Sequence, residues 1–246
     1  MAPNVLGGGV IARAREAAAR LGLWVSILTA AVAVVSFGIA FMTPPHSGPF
    51  CTASCIAYPY TGAVAFFPRD YLWIFPAMLL ISLFVVLCIC VDFWVEIEKR
   101  VFSRVAVAAA TTAAAIVAMD YFIQFEVIQP SLLRGEHDGL ALISQYNPHG
   151  VFIAMEDLGY LGVSAAFFFL GVSLAGRSGL ERATRWVLTI SGLLGFVTFF
   201  AMSAAFGSNL ETRFELAIIT ITWTAMAITA VMLAVLFRRS LWPGAN

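Results

Sequence analysis

The sequence predicts an all-α fold, an integral membrane bundle of six transmembrane helices with N- and C-termini cytoplasmic. Three observations carry this reading. Hydrophobic residues make up 61% of the 246 and charged residues 11%, with a mean hydropathy of +0.91, whereas a soluble domain holds roughly a quarter charged residues. Six apolar runs reach the roughly 20 residues that a hydrocarbon core requires, and in lipid only a helix or a closed barrel satisfies its own backbone. Eleven of the fourteen Lys and Arg residues fall on one side of the resulting topology, leaving only Arg69, Arg134 and Arg213 on the other; the positive-inside rule makes the first side cytoplasmic. Net charge is zero, and no basic tail or stripe points to a nucleic acid partner.

The first run, 21–42, follows Arg13, Arg15 and Arg20. It exceeds the roughly 7 to 15 residues of a signal-peptide core, so it is read as a retained helix. The outer loop 43–71 is long and aromatic, TPPHSGPFCTASCIAYPYTGAVAFFPRD up to residue 70, and its apolar content predicts a lid folded over the helix ends. Cys51 and Cys55, four apart on the expected oxidising side, are compatible with a disulfide. A structural bridge is favoured over a redox pair. His46 is a lone loop histidine and is not assigned as a ligand. The second run, 72–92, is bracketed by Trp73 and Trp94 as an aromatic belt would be. It carries Pro76 in its first turns, where proline is tolerated, and Cys88 and Cys90 as packing residues.

The third run, 105–127, is the informative one. Fifteen uncharged residues from Val105 to Met119 span only about 22 Å of a core near 30 Å, so Asp120 is immersed. Such an acid costs about 3 kcal/mol or more on insertion scales and by default marks a functional site. Thr112, Asp120 and Gln124 share a polar stripe, while Glu126 points elsewhere and is read as solvated. The outer polar loop 128–150 holds Glu136, His137 and Asp138, a run expected to be a solvated turn, and Leu140, Leu142 and Ile143, which can lie on the membrane surface.

The fourth run, 151–175, is preceded by Asn147 and Pro148, a helix start signal. Glu156 falls two turns beyond His149 on one face, and Asp157, Tyr160 and Ser164 share a neighbouring face. Counted from the outer ends, Glu156 and Asp157 lie at the depth of Asp120 and can meet it across the contact of the third and fourth helices. Against this, residues 158–175 are long enough to span alone, which leaves both acids at the interface; the two placements stay open. Gly159, Gly162 and Ala166 form a small-residue packing ridge. In the fifth and sixth runs, 186–207 and 215–237, Gly192 and Gly195 again read as packing, and Thr220, Thr222, Thr224 and Thr229 can bond back to their own helix. Trp223 is either core or pocket lining.

The segments DYFIQ, IQPSLL, QYNPHG and EDLGY, with CTASC and PRDYLW before them, resemble a group of bacterial polytopic membrane proteins. The resemblance implies a multi-pass protein of the bacterial plasma membrane and brings no activity with it. No lysine lies in a membrane run for a retinal Schiff base, and no phosphate loop, nucleophile elbow, metal-ligand spacing or cofactor motif occurs.

Three function classes remain. The first is a small-molecule or cation binding or transport protein with an outward acidic pocket built from Asp120, Gln124, Glu156, Asp157, Tyr160 and His149 under the first outer loop. The outer segments hold six acids against three arginines, which concentrates cations, although exclusion of arginine alone also produces that balance. The second is an assembly subunit whose acids lock helices and whose loops dock a membrane protein partner. The third is a membrane-embedded enzyme on a lipid or quinone, with a carboxylate as general acid or base.

Overall fold

The computed structural model describes residues 5–242, which form eight α-helices, short 3₁₀ turns and no strand. Six helices are long and apolar enough to cross a membrane: α1 (Val5–Met42), α2 (Ile74–Trp94), α3 (Arg100–Ile123), α6 (Val151–Ser173), α7 (Gly179–Phe206) and α8 (Glu211–Leu241). The short α4 (Gln129–Arg134) and α5 (Leu140–Ile143) lie between α3 and α6. Each long helix packs on its neighbour in sequence, α8 closes back on α1, and α6 also touches α8 across the ring. Both described ends therefore lie at one end of the bundle, here the terminal end. The two long loops lie at the other, the loop end.

The helices overrun the apolar runs because backbone hydrogen bonding continues past the hydrocarbon boundary. α1 starts sixteen residues before the expected 21, through ARAREAAAR, whose alanines and arginines are strong helix formers. It stops at Met42, just before Pro44 and Pro45, which cannot continue a helix. α7 begins early behind a cap at Ser178, whose hydroxyl accepts from the Glu181 N–H at 3.1 Å. Pro76 sits in the first turn of α2, where its missing N–H has no partner to lose.

The α3 exit differs from expectation. Gln124–Ile128 widen into a π turn, directly before Pro130, which lacks an N–H and crowds the carbonyl four residues back. Helix then resumes as α4 to Arg134, so much of the 128–150 segment expected to be loop is helical. The start signal at Asn147 and Pro148 is also displaced. Asn147 Oδ1 accepts from His149 N at 3.0 Å, forming a turn, and α6 begins only at Val151 behind Gly150.

Small residues set the packing of α6. A Cβ on Gly159 would meet Val117 at 2.3 Å, and one on Gly195 would meet Ser164 at 2.2 Å, so α3 and α7 both approach α6 closely. Outward faces, including Val34, Leu193, Val197 and Phe200, are apolar and exposed, as contact with a lipid bilayer requires.

The first long loop folds back over the loop end. Arg69 Nη2 donates to the Met42 carbonyl at 2.8 Å, pinning the loop's far end to the end of α1. Cys51 and Cys55 are joined by a disulfide. Gly48, at φ +70°, brings the backbone so near α8 that a Cβ would lie 3.1 Å from Thr212 Oγ1, a left-handed conformation that glycine adopts without strain.

Candidate functional site

Four carboxyl groups gather between α3, α6 and α8. Asp120 comes from α3 with 2% of its surface exposed, and Glu156 from α6 with none. Asp157, half-buried, follows on the next turn face. Glu215, half-buried near the start of α8, lies beside Glu156, with Asp157 and Asp120 nearby. Burial of Glu156 decides between the two placements left open by the sequence: it lies inside the bundle.

A directed chain of hydrogen bonds ends on Glu156. Trp223 Nε1 donates to Tyr160 Oη at 2.9 Å, Tyr160 and Tyr121 hydroxyls are 3.1 Å apart, and Tyr121 Oη donates to Glu156 Oε1. An indole N–H can only donate, and a carboxylate can only accept. Each hydroxyl therefore passes its proton in the same sense, from Trp223 toward Glu156. Trp73 holds Tyr121 edge-on, ring centroids 5.0 Å apart. Glu156 Oε2 and Asp120 Oδ2 find no hydroxyl, amide or base, and neither does Asp157 Oδ1.

Above this cluster lies a 610 Å³ cavity roofed by the first long loop. Phe41, Phe50, Trp73, Phe152 and Trp223 give it an aromatic lining, and Asp70 and Glu215 supply two carboxyls; no Arg or Lys lines it. Asp70 is fixed by Tyr146, whose hydroxyl donates to Oδ2 at 2.9 Å, and faces His46 Nε2 at 3.5 Å. His46 stacks on Phe66 at 3.6 Å. Burial, then the neighbouring Tyr71 and Asp70, hold the Tyr146 hydroxyl far above the usual tyrosine range. It therefore stays a donor to Asp70 at neutral pH.

Asp120, Glu156, Asp157 and Tyr160 thus come together as one cluster, but the cavity wall itself is reached by Glu215 and Trp223. Gln124 and His149 stand apart from both. Gln124 is wholly buried in the π turn, donating to the Ile143 carbonyl at 2.7 Å and accepting from Gln145 N at 2.9 Å, and so fastens the second loop. His149 is exposed and pairs with Glu211 at 3.4 Å. Sequence reasoning placed Glu215 at the outer interface and passed over Tyr121, Asp70, Gln145 and Tyr146. A usable signal existed for Glu215, since Thr222 and Trp223, seven and eight residues on, share its helix face.

Glu126, Glu136, His137 and Asp138 are exposed. Among the described residues no three His, Cys, Asp or Glu side chains are grouped to hold a metal ion. No protein-family model matches the chain, and no curated protein or solved structure matches it.

Proposed function

We propose that this membrane protein binds a small organic cation with an apolar body in the loop-roofed cavity, as the recognition step of its transport. The observation that carries the proposal is the lining: aromatic faces and two carboxyls, with no Arg or Lys. Aromatic rings attract a cation over their faces by about 0.5 to 2 kcal/mol each, and a carboxylate in a partly dry wall supplies the counter-charge. An anion would find two carboxyls and no Arg or Lys there. The volume of 610 Å³ lies within the ordinary range of small-molecule sites, roughly 300 to 1,000 Å³.

The positive-inside distribution supports a loop end, and with it a cavity mouth, on the outer face, and the sequence resemblance supports a bacterial plasma membrane. The outer side is also the compartment in which the Cys51 and Cys55 bridge persists. Calorimetric titration of the purified protein with benzyltrimethylammonium, against its uncharged carbon isostere neopentylbenzene, tests the reading. Saturable binding of the cation and not of the isostere is expected. Equal binding of the two would make the cavity a general apolar pocket, and no binding with a co-purifying protein in its place would favour an assembly subunit.

A further inference from the structure

Glu215 is the one carboxyl that belongs both to the cavity wall and to the buried cluster, where it lies against Glu156 with no base beside the pair. Glu156 Oε1 is already filled by the Tyr121 hydroxyl, the last donor of the chain from Trp223. Its other oxygen, in a residue with no exposed surface, finds no hydroxyl, amide or base. The Glu215 carboxyl lies beside Glu156. Two carboxyls side by side with no base near them hold a proton between them, and Glu215 is the member of the pair that reaches the cavity and so the one through which that proton can leave.

We propose, resting on the cation-binding reading above, that the cavity is an exchange site: an organic cation enters against Glu215 as the Glu215 proton leaves to water. The Glu215 O–H bond breaks, the proton departs through the cavity mouth, and the cation takes over as counter-charge to the new carboxylate. No electron moves, and the net charge of the site is the same before and after. The membrane protein thereby handles its ligand as one side of a cation-for-proton exchange.

The groups that face Glu215 set the balance. α3 contributes Asp120, α6 contributes Glu156, Asp157 and Tyr160, and all are acids or phenols. On α8 itself, Arg213 lies on the outward turn with its guanidinium taken by Glu211 at 2.8 Å and the Asn209 carbonyl at 2.7 Å. Across the cavity stand His46 and Asp70, which face each other. No Arg or Lys therefore competes with the proton or the ligand for Glu215, and the His46 imidazole faces Asp70 instead.

The test uses the full-length protein in detergent and benzyltrimethylammonium, whose charge does not change with pH, so any proton released comes from the protein. In weakly buffered solution with an indicator dye, binding is expected to release about one proton per cation, and the apparent Kd to weaken as pH is lowered, by up to about tenfold for each pH unit. Glu215→Gln, which keeps the shape, abolishes the release and flattens the pH dependence, whereas Asp70→Asn still releases the proton. Binding without proton release, or release that survives Glu215→Gln, overturns the exchange while leaving the cation site standing. Absence of binding at every pH overturns the cation site and the exchange with it. The wild-type pH series needs no variant, so a poorly folding variant does not rescue the proposal.

Discussion

The carboxyl groups at the terminal end and those of the buried cluster toward the loop end are treated in opposite ways. At the terminal end each acid with a described contact has a donor: Glu16 pairs with Arg20 at 2.7 Å, Glu96 with Arg177, Asp92 accepts from Ser103, and Glu181 accepts from the backbone of Ala175 at 3.0 Å and Arg177 at 2.8 Å. Toward the loop end, Asp120, Glu156, Asp157 and Glu215 meet no Arg, Lys or His. An acid with a fixed donor holds structure together. One kept in an apolar bundle without a base needs something mobile to carry its charge, either a proton or a ligand.

That contrast is broken most sharply by exchanging which acid is removed. Glu215→Gln takes away the counter-charge of the cavity, and losing one partner of a buried charge pair costs about 2 to 5 kcal/mol. Affinity for benzyltrimethylammonium in calorimetry is expected to fall by about 30-fold or more. The melting temperature of the ligand-free protein holds, because a neutral amide replaces a carboxyl that carries a proton until the cation enters. A large drop in melting temperature with affinity intact would move Glu215 into the class of structural acids.

Glu181→Ala is the converse. It leaves the Ala175 and Arg177 amides at the start of α7 without acceptors, and hydrogen bonds to a charged group are worth about 1.5 to 3 kcal/mol. A loss of about 2 kcal/mol in thermal or denaturant unfolding is expected, with cation affinity unchanged wherever the protein stays folded. Tyr160→Phe comes next. It removes the acceptor of the Trp223 indole N–H and interrupts the chain to Glu156, for a loss of about 1 kcal/mol and a shift in the Trp223 environment visible by fluorescence.

The membrane fold and one member of the cluster were legible in the sequence for the same reason: both follow from counting apolar residues against bilayer thickness. Asp120 lies too far from any charged neighbour to reach water, and it is buried. Glu215 defeated the same count because it opens its apolar run, four residues after Glu211. What buries one side of it is the first long loop, which closes over the helix ends and moves the boundary with water outward. His149 was misassigned because helix-face arithmetic was carried back through Gly150 to a residue that lies in the turn before α6 and has no helical phase. Gln124 lies in the π turn, where the 100° step of an α-helix no longer holds, and its amide was spent on the second loop. Partners that come from distant loops, such as Tyr146 on Asp70, leave no spacing in the sequence to find.

The smallest expected effect sharpens the comparison from the terminal end. The Arg177 side chain pairs with Glu96 while remaining 74% exposed, and an exposed pair contributes from nothing to about 1 kcal/mol. Arg177→Ala removes that pair but keeps the backbone N–H that Glu181 accepts from. If fixed backbone donors, rather than surface ion pairs, are what the terminal-end acids contribute, Arg177→Ala lowers stability by less than about 1 kcal/mol, and Glu181→Ala costs at least twice as much. A loss from Arg177→Ala as large as that from Glu181→Ala would place the stabilisation in the ion pair with Glu96 instead. High salt tells the two apart within one protein, since it screens the exposed pair and leaves the backbone bonds of Glu181 largely untouched.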